Sequence, residues 1–230
     1  MILRKLFFVL LISFLLGSLS FAIIVSKGIY KKDIRQFGSG NAGMTNILRT
    51  FGKKAAALTI IGDVLKGFVS VMIARLLFHI PKYAPQAISD ILIGGLSFQV
   101  SGEFLLELSM YLAVFGSLLG HLYPVFFGFK GGKGMSVISG SMMATTPITL
   151  SIALGIFLAI AFGAKIVSLA SIVASVSYFF ITLIYFKLTN TFSILNMISA
   201  TVLPLIILYA HRANIKRLIN GTEYKFGKKK

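Results

Sequence analysis

The amino-acid sequence predicts an all-α, polytopic integral membrane protein with about seven transmembrane helices. Hydrophobic residues make up 57% of the 230 residues, whereas charged residues make up only 13%. A soluble domain usually contains about 45–50% apolar and about 25% charged residues. The apolar residues also form runs of about 20, the length that one α-helix needs to cross a bilayer. These observations exclude an ordinary soluble domain, and the high hydrophobicity excludes a disordered chain.

The first apolar run covers residues 6–25. Small residues at 18–20 would also suit the cleavage site of a signal peptide, but the run is long enough to span and favours a retained helix. Further runs cover 55–78, 105–121, 134–163, 166–186 and 191–210. Residues 79–104 contain two prolines, Pro81 and Pro85, and are predicted to form a loop.

The run 134–163 is too long for one untilted span and contains Pro147. A proline in a helix removes a hydrogen bond and favours a break. We therefore predict two short helices that meet near Pro147, which brings the count to seven spans. All seven are assigned to a single transmembrane domain, 1–230.

The cations predict the orientation of these spans, because cytoplasmic segments near spans are enriched in Lys and Arg. With the N-terminus outside and the C-terminus in the cytoplasm, four segments face the cytoplasm. They are 27–54, 121–134, Lys165 and the tail from Arg212, and they carry 17 of the 23 Lys and Arg residues. Merging 134–163 into one helix would give six spans and split the basic segments between the two faces.

The formal net charge of +17 arises from 23 Lys and Arg residues against six Asp and Glu. These cations interrupt long apolar runs and do not cover a soluble face, so we predict no nucleic-acid partner but contact with membrane lipid. The chain has no cysteine, which excludes a disulfide framework and a thiolate nucleophile. No spacing of His, Asp and Glu suits a metal, and neither a metal nor a cofactor is predicted.

A glycine-rich segment, GSGNAGMTN at 38–46, is followed by Arg49. Glycines permit backbone N–H groups to point into one concavity, and a guanidinium suits phosphate oxygens. The candidate phosphate ligands are Ser39, Asn41, Gly43, Thr45, Asn46 and Arg49. The segment lacks the spacing of a Walker A loop, and an ordinary tight turn remains the alternative.

A second segment, GHLYPVFFGFKGGKG at 120–134, places glycines and two lysines before an apolar helix. An anion there would meet both an ammonium and the positive end of a helix dipole. The candidates are His121, Lys130, Gly132 and Lys133. Lysines that only extend to the membrane surface are the alternative.

A third segment, HRANIKRLINGTE, covers 211–223. At helical spacing His211, Asn214 and Arg217 lie roughly along one side, and Glu223 follows them. A basic helix that touches anionic lipid is the alternative here, and it is favoured for the final three lysines.

Other polar residues lie inside the apolar runs. Asp63 and Lys66 are one helical turn apart, and ionisable residues within spans are functional candidates, although this pair could simply neutralise itself. Ser168 and Ser171 begin another span, where they could serve either the site or helix packing.

Four stretches together resemble the bacterial glycerol-3-phosphate acyltransferases that use acyl-phosphate as donor, the PlsY family. They are GSGNAGMTNILRTFG at 38–52, GDVLKG at 62–67, GHLYPVFFGFKGGKG at 120–134 and HRANIKRLINGTE at 211–223. The resemblance covers essentially the whole chain in order and spacing. Met44 and the residues 135–137 depart from the small residues usual in the family.

The resemblance implies transfer of an acyl group from acyl-phosphate to the 1-hydroxyl of glycerol 3-phosphate. The products would be 1-acylglycerol 3-phosphate and inorganic phosphate, in phospholipid synthesis at the cytoplasmic face of the bacterial inner membrane. Acyltransferases with a thioester donor carry an H-x-x-x-x-D dyad, and none of the three histidines here begins one.

The resemblance also implies roles for the candidate residues. Lys133, His211, Asn214 and Ser171 are expected at the transfer centre. Ser39, Asn41, Gly43, Thr45, Asn46, Arg49, Lys66, His121, Lys130, Gly132, Ser168, Arg217 and Glu223 are expected to bind the substrates and their phosphates. The base is either His211 or the phosphate of the donor, and we favour the phosphate.

A transporter or flippase for a phosphorylated solute is the alternative from another class. The charged pair Asp63 and Lys66 and the glycine-interrupted helices would suit such a protein. However, the sequence shows no inverted repeats, and its polar segments crowd one predicted face.

Overall fold

A computed structural model describes residues 2–79, 88–93 and 96–226. Most of these residues are helical, and the described part of the chain contains nine α-helices. They are α1 (Ile2–Gly17), α2 (Phe21–Tyr30), α3 (Met44–Leu77), α4 (Gly102–Leu122), α5 (Met135–Thr145), α6 (Pro147–Ala164), α7 (Val167–Thr189), α8 (Ile194–Ala210) and α9 (Arg212–Ile219). Two 3₁₀ turns cover Ile34–Gln36 and Val125–Phe127.

Within the described ranges, five helical segments are long and apolar enough to cross a membrane. They are Ile2–Tyr30, Met44–Leu77, Gly102–Phe127, Pro147–Ala164 and Val167–Thr189. The pair α8 and α9, bent by 65°, would make a sixth span if the two were counted together. A mostly helical, multi-span protein is therefore confirmed, whereas the count of seven and the orientation of the termini stay predictions.

The segment predicted to be a loop contains a β-hairpin, so the prediction of an all-α fold is wrong there. Strand β1 (Ile88–Ile93) pairs antiparallel with β2 (Leu96–Ser101), with Ile88 opposite Ser101 and Ile93 opposite Leu96. Apolar and β-branched residues in short runs favour strands when no long helical period competes. Pro81 and Pro85, on which the loop prediction partly rested, lie outside the described residues.

The first apolar run is divided, in contrast to the single helix predicted over 6–25. Helix α1 ends at Gly17 and α2 begins at Phe21. Close helix packing surrounds this break: a Cβ on Gly17 would lie 2.2 Å from the carbonyl oxygen of Ser117, and one on Gly120 would lie 2.1 Å from that of Phe14. Helices α1 and α4 thus approach at backbone contact, which only glycine permits.

The predicted break near Pro147 is confirmed. Helix α5 ends at Thr145, and α6 begins at Pro147 itself. Proline suits the first position of a helix, because its missing N–H would have no partner there. With 11 residues, α5 is shorter than the roughly 20 residues of a full span.

The described residues form two compact units. Unit 1 comprises the described parts of Met1–Gly132 together with Ser136–Thr145, and unit 2 comprises Lys133–Met135 and the described part of Thr146–Lys230. In unit 1, Ile23, Ile34 and Ile47 are fully buried beneath the first glycine-rich segment. The single domain over 1–230 stays a prediction.

Candidate functional site

The first glycine-rich segment of unit 1 is organised around the side chain of Asn46. Its Nδ2 donates to the carbonyl oxygens of Ile34 at 3.3 Å, Phe37 at 2.9 Å and Asn41 at 3.1 Å. Its Oδ1 accepts from the backbone N–H of Ser39 at 3.0 Å. Asn46 is 2% exposed, and its hydrogen bonds hold the loop in place, whereas its contact with a phosphate stays a prediction.

The backbone of this loop requires glycine beside Asn46. Gly38 and Gly40 have φ values of +58° and +72°, in the left-handed region that favours glycine. A Cβ on Gly38 would also lie 2.2 Å from Asn46 Oδ1. The predicted phosphate ligands remain nearer the surface, with Ser39 and Arg49 exposed and Asn41, Gly43 and Thr45 half-buried.

Arg35, which precedes the first glycine-rich segment, contacts the second one in unit 1, a contact that the sequence does not predict. Its Nη1 donates to the carbonyl oxygen of Phe127 at 2.6 Å, and its Nε and Nη2 donate to the Asp33 carboxylate at 3.0 and 2.8 Å. The hydrogen bond from Arg35, with that from Lys27, holds the pKa of Asp33 well below its usual range, although burial opposes the shift. The sequence does contain a signal for an ion pair here, because Asp33 is the one acid among seven cations in 27–54.

A cavity of about 660 Å³ adjoins Arg35 in unit 1. Its lining includes Lys27, Arg35, Gly40 and Lys130, together with Asp33, which pairs with Lys27 and Arg35. Lys130 is exposed, as are Gly128 and Phe129 before it. The two segments predicted to bind phosphate therefore border one cationic cavity.

Lys66 and His121 lie inside the helix packing of unit 1. They are 4% and 3% exposed, and Asp63 is 1% exposed. Lys66 Nζ lies 2.9 Å from Asp63 Oδ1 and 3.0 Å from His121 Nδ1. Both predicted phosphate ligands are therefore buried against each other, and their role in the site stays a prediction.

Gly132 packs directly on His121. The Gly132 N–H donates to the His121 carbonyl oxygen at 3.1 Å, and the Gly131 N–H donates to that of Leu122 at 3.2 Å. A Cβ on Gly132 would lie 2.2 Å from His121 Nε2 and 2.7 Å from the carbonyl oxygen of Ala42. Only glycine fits here, and the two glycine-rich segments touch at this residue.

In unit 2, four side chains predicted from the sequence form one hydrogen-bonded network. Lys133 Nζ donates to Asn214 Oδ1, and Asn214 Nδ2 donates to Glu223 Oε1 at 3.0 Å. Arg217 Nε donates to Glu223 Oε2 at 2.8 Å. Asn214 is 5% exposed, the Glu223 side chain 3% and the Arg217 side chain 31%. The network therefore has a buried carboxylate and amide and a partly exposed guanidinium.

The turn after α9 brings Glu223 back to this network. Gly221 adopts φ +68°, and the Thr222 N–H donates to the Arg217 carbonyl oxygen at 2.8 Å. A glycine in this conformation commonly ends a helix and reverses the chain. The sequence placed Asn214 and Arg217 on one side of a helix, but the pairing with Glu223 depends on this reversal.

His211 lies between α8 and α9 and is 3% exposed. Its Nδ1 is 2.9 Å from the carbonyl oxygen of Ile207. A ring that donates from Nδ1 to a carbonyl keeps Nε2 as an acceptor. His211 is therefore held in one orientation by its own helix.

The two serines of α7 are buried. Ser171 Oγ donates to the Val167 carbonyl oxygen at 2.9 Å, within the same helix. Ser168 Oγ is buried without a hydrogen-bond partner among the described residues. No described contact activates either hydroxyl as a nucleophile. Likewise, no group of three His, Cys, Asp or Glu that could hold a metal occurs in the described part of the chain.

Comparison with known proteins gives one consistent answer. A family model described as "Glycerol-3-phosphate acyltransferase" matches residues 7–221. A relative of that name from Neisseria meningitidis is 40% identical over 217 residues, covering 94% of both chains. Another from Clostridioides difficile is 39% identical over 221 residues, covering 95% of this chain and 94% of the relative.

Two solved structures are also similar to this chain. They are crystal structures of PlsY, an integral membrane glycerol 3-phosphate acyltransferase, in its glycerol 3-phosphate and lysophosphatidic acid forms. The TM-scores are 0.75 and 0.73, each at 33% identity and over 96% of this chain. The match covers 96% and 95% of the two PlsY chains, respectively.

Proposed function

Since the chain belongs to the glycerol-3-phosphate acyltransferase family, we propose that its acyl donor is acyl-phosphate and its acceptor the 1-hydroxyl of glycerol 3-phosphate. The products are then 1-acylglycerol 3-phosphate and inorganic phosphate. The family and the PlsY structures make the chain a membrane acyltransferase of phospholipid synthesis. Beyond this family assignment, we propose the acyl donor, the residues of the site and its cytoplasmic location.

The observation that carries the proposal is the network of Lys133, Asn214, Arg217 and Glu223 in unit 2. Glu223 holds the Nε edge of Arg217, and the two Nη groups of Arg217 donate to none of the described residues. A guanidinium fixed along one edge presents its remaining donors as a fork that matches two phosphate oxygens. The carboxylate thus acts as the support of an anion site and not as a base.

Lys133 is the residue that we assign to the transfer centre. Its ammonium is oriented by Asn214 Oδ1. Negative charge develops on the carbonyl oxygen under attack and on the departing phosphate, and a preoriented cation stabilises both. Asn214 in turn is oriented by Glu223, so the ammonium rests on two buried side chains.

The chemical step needs no covalent acyl-enzyme. The 1-hydroxyl oxygen of glycerol 3-phosphate bonds to the carbonyl carbon, and the bond from that carbon to the phosphate oxygen breaks. The hydroxyl proton passes to the departing phosphate, which leaves as inorganic phosphate. Phosphate is a good leaving group, and the protein contributes mainly by positioning both substrates.

We assign the surface residues of the unit 1 loops to phosphate binding. They are Ser39, Asn41, Gly43, Thr45, Arg49, Lys130 and Gly132. The exposure of Ser39, Arg49 and Lys130 and the cationic cavity beside Arg35 support this assignment. Each substrate of the reaction carries a phosphate, and each unit holds a candidate cluster for one.

The location proposed for the site is the cytoplasmic face of the bacterial inner membrane. All three polar segments fall on the face where 17 of 23 cations are predicted. The comparisons favour the acyltransferase over the transporter or flippase, because the matched family and relatives are named as acyltransferases.

The test is a stoichiometric assay of the purified protein in detergent with glycerol 3-phosphate and either acyl-phosphate or acyl-CoA. We expect one inorganic phosphate released per 1-acylglycerol 3-phosphate formed, and no product from acyl-CoA. Lys133→Met should abolish turnover, whereas Lys216→Met, which removes an exposed lysine of α9, should not. Turnover with acyl-CoA but not with acyl-phosphate would contradict the proposed donor.

A further inference from the structure

The buried ammonium of Lys66 connects three separate parts of unit 1. Its Nζ donates to the carbonyl oxygen of Leu19 at 2.7 Å, lies 2.9 Å from Asp63 Oδ1 and lies 3.0 Å from His121 Nδ1. The ammonium thus has hydrogen-bonding contacts with Leu19 and His121 and an ion pair with Asp63. Leu19 lies in the break between α1 and α2, where the carbonyl is available to accept.

The same ion pair holds the ring of His121. His121 Nδ1 lies 3.0 Å from Lys66 Nζ and 3.6 Å from Asp63 Oδ1. The Nε2 side of the ring faces Gly132, where an added Cβ would lie 2.2 Å from Nε2. The ion pair therefore holds the orientation of the ring beneath the second glycine-rich segment.

Gly132 is also the place where the first glycine-rich segment makes contact. The virtual Cβ of Gly132 lies 2.7 Å from the carbonyl oxygen of Ala42, which is fully buried. The His121 carbonyl oxygen holds the Gly132 N–H at 3.1 Å. A shift of the imidazole would consequently move Gly132 relative to Ala42, and with it the spacing of the two segments.

We propose that Asp63, Lys66 and His121 are positioning residues that set the spacing of the two glycine-rich segments at Gly132 and Ala42, and so the affinity for glycerol 3-phosphate. None of the three needs to touch substrate, because each acts through the imidazole against Gly132. This inference rests on the proposed function, in which these segments bind phosphate. We assign glycerol 3-phosphate to them because Ser39, Arg49 and Lys130 are exposed polar residues of these segments, and a soluble substrate binds first at such residues.

A charge pair buried in an apolar helix is costly, and it is often replaceable by neutral residues without loss of stability. The double variant Asp63→Asn/Lys66→Met removes both charges together and leaves no unpaired charge. We expect this variant to fold, with KM for glycerol 3-phosphate raised at least about tenfold and kcat changed less than about threefold. Gly132→Ala should likewise raise KM while changing kcat little, because the added Cβ meets His121 Nε2.

The combination of these variants distinguishes positioning from mere stability. If the three side chains act through Gly132, adding Gly132→Ala to the double variant should raise KM no further. Ser70→Ala is the matched control, since Ser70 is fully buried on the same helix and donates to the Lys66 carbonyl oxygen at 2.7 Å. It should lower the unfolding midpoint without changing KM.

Hydrogen exchange supplies a readout that is independent of activity. The amides of Gly131 and Gly132 donate to backbone carbonyls, and we expect them to exchange at least about tenfold faster in the double variant than in Ser70→Ala. If the double variant does not fold, the pair His121→Gln and His121→Ala takes its place. Glutamine keeps an amide near the Nε2 position, whereas alanine does not.

The proposal would be overturned if the double variant left both KM and the exchange of Gly131 and Gly132 unchanged. It would also be overturned if the effects of the double variant and of Gly132→Ala on KM multiplied when the two were combined. A wild-type protein that releases no phosphate from acyl-phosphate would instead contradict the proposed function. The exchange measurement would still decide whether the buried side chains hold Gly132.

Discussion

Arg217 and Glu223 are joined by a 2.8 Å hydrogen bond from Nε to Oε2, although the carboxylate is only 3% exposed and the guanidinium 31%. The pair spans the end of α9, where Gly221 reverses the chain. A carboxylate this well buried is stable only when it is paired and hydrogen-bonded, and Arg217 and Asn214 together meet that need. The Nε edge of the guanidinium is thereby fixed by Glu223.

Arg217→Lys is predicted to weaken substrate binding although it keeps the charge. Lysine has no planar fork and cannot donate both to Glu223 and to two phosphate oxygens. The loss of a charge-assisted hydrogen bond of about 1.5–3 kcal/mol corresponds to a rise in KM of about ten- to a hundredfold. Steady-state kinetics with each substrate varied in turn measures it.

Arg212→Lys is the matched control for that variant. Arg212 is on the same helix, is exposed, and packs over the ring of Tyr209. Its replacement should leave KM within about twofold for both substrates. Equal effects of the two substitutions would show that α9 contributes only general positive charge.

His211→Ala is predicted to reduce kcat by less than about a hundredfold. The His211 ring is buried and held by the Ile207 carbonyl, and in the proposed mechanism the departing phosphate accepts the hydroxyl proton. A general base contributes about 10²–10⁴ in rate. A loss on the order of 10⁴-fold in kcat with unchanged substrate binding would identify His211 as the base.

Asn46→Ala is predicted to lower the free energy of unfolding by about 2–4 kcal/mol and to raise KM. The change would leave the Ser39 N–H without its acceptor, at a cost of about 1–3 kcal/mol. It would also remove one of the two hydrogen bonds that each of the three carbonyl oxygens accepts. Denaturant unfolding in detergent measures the stability. Gln99→Ala, which removes an exposed amide of β2, should change neither quantity, and an equally small effect of Asn46→Ala would argue against its role in the loop.

Asp33→Asn is predicted to lower stability at neutral pH but not in acid. Because the hydrogen bond from Arg35 lowers the pKa of Asp33 in the folded protein, its stabilisation is fully present above the ordinary pKa of about 3.9. It is lost as the pH falls through the lowered value. The difference in unfolding midpoint between wild type and variant should be constant from about pH 8 to 5 and shrink below about pH 4. A difference that already vanishes at pH 6 would contradict this.

Single cysteines test the predicted orientation, and the chain has no native cysteine to interfere. Lys54→Cys and Lys187→Cys replace exposed lysines that the seven-span arrangement places on opposite faces. In intact cells, a membrane-impermeant thiol reagent should label position 187 and not position 54. Labelling of position 54 in intact cells would reverse the proposed orientation.

Much of the candidate site was predictable because its residues lie in short, unusual segments. The i, i+3 spacing of Asn214 and Arg217 placed both on one side of a helix, and the structure joins them through Glu223. Lys66 and His121 were predicted to bind phosphate, yet both are buried. Residue type indicates which chemistry a side chain can perform, but not whether the fold exposes it.

The amino-acid sequence is sufficient to identify a multi-span membrane protein, a helix break near Pro147 and polar segments that resemble an acyltransferase. These features depend on the length of the hydrophobic runs and on local residue chemistry, which act within about 20 residues. The contacts of Arg35 with the Phe127 carbonyl and of Lys66 with His121 beneath Gly132 are visible only in the folded protein. These contacts join residues more than 50 positions apart, and their geometry depends on helices that approach at glycine, which no local pattern specifies.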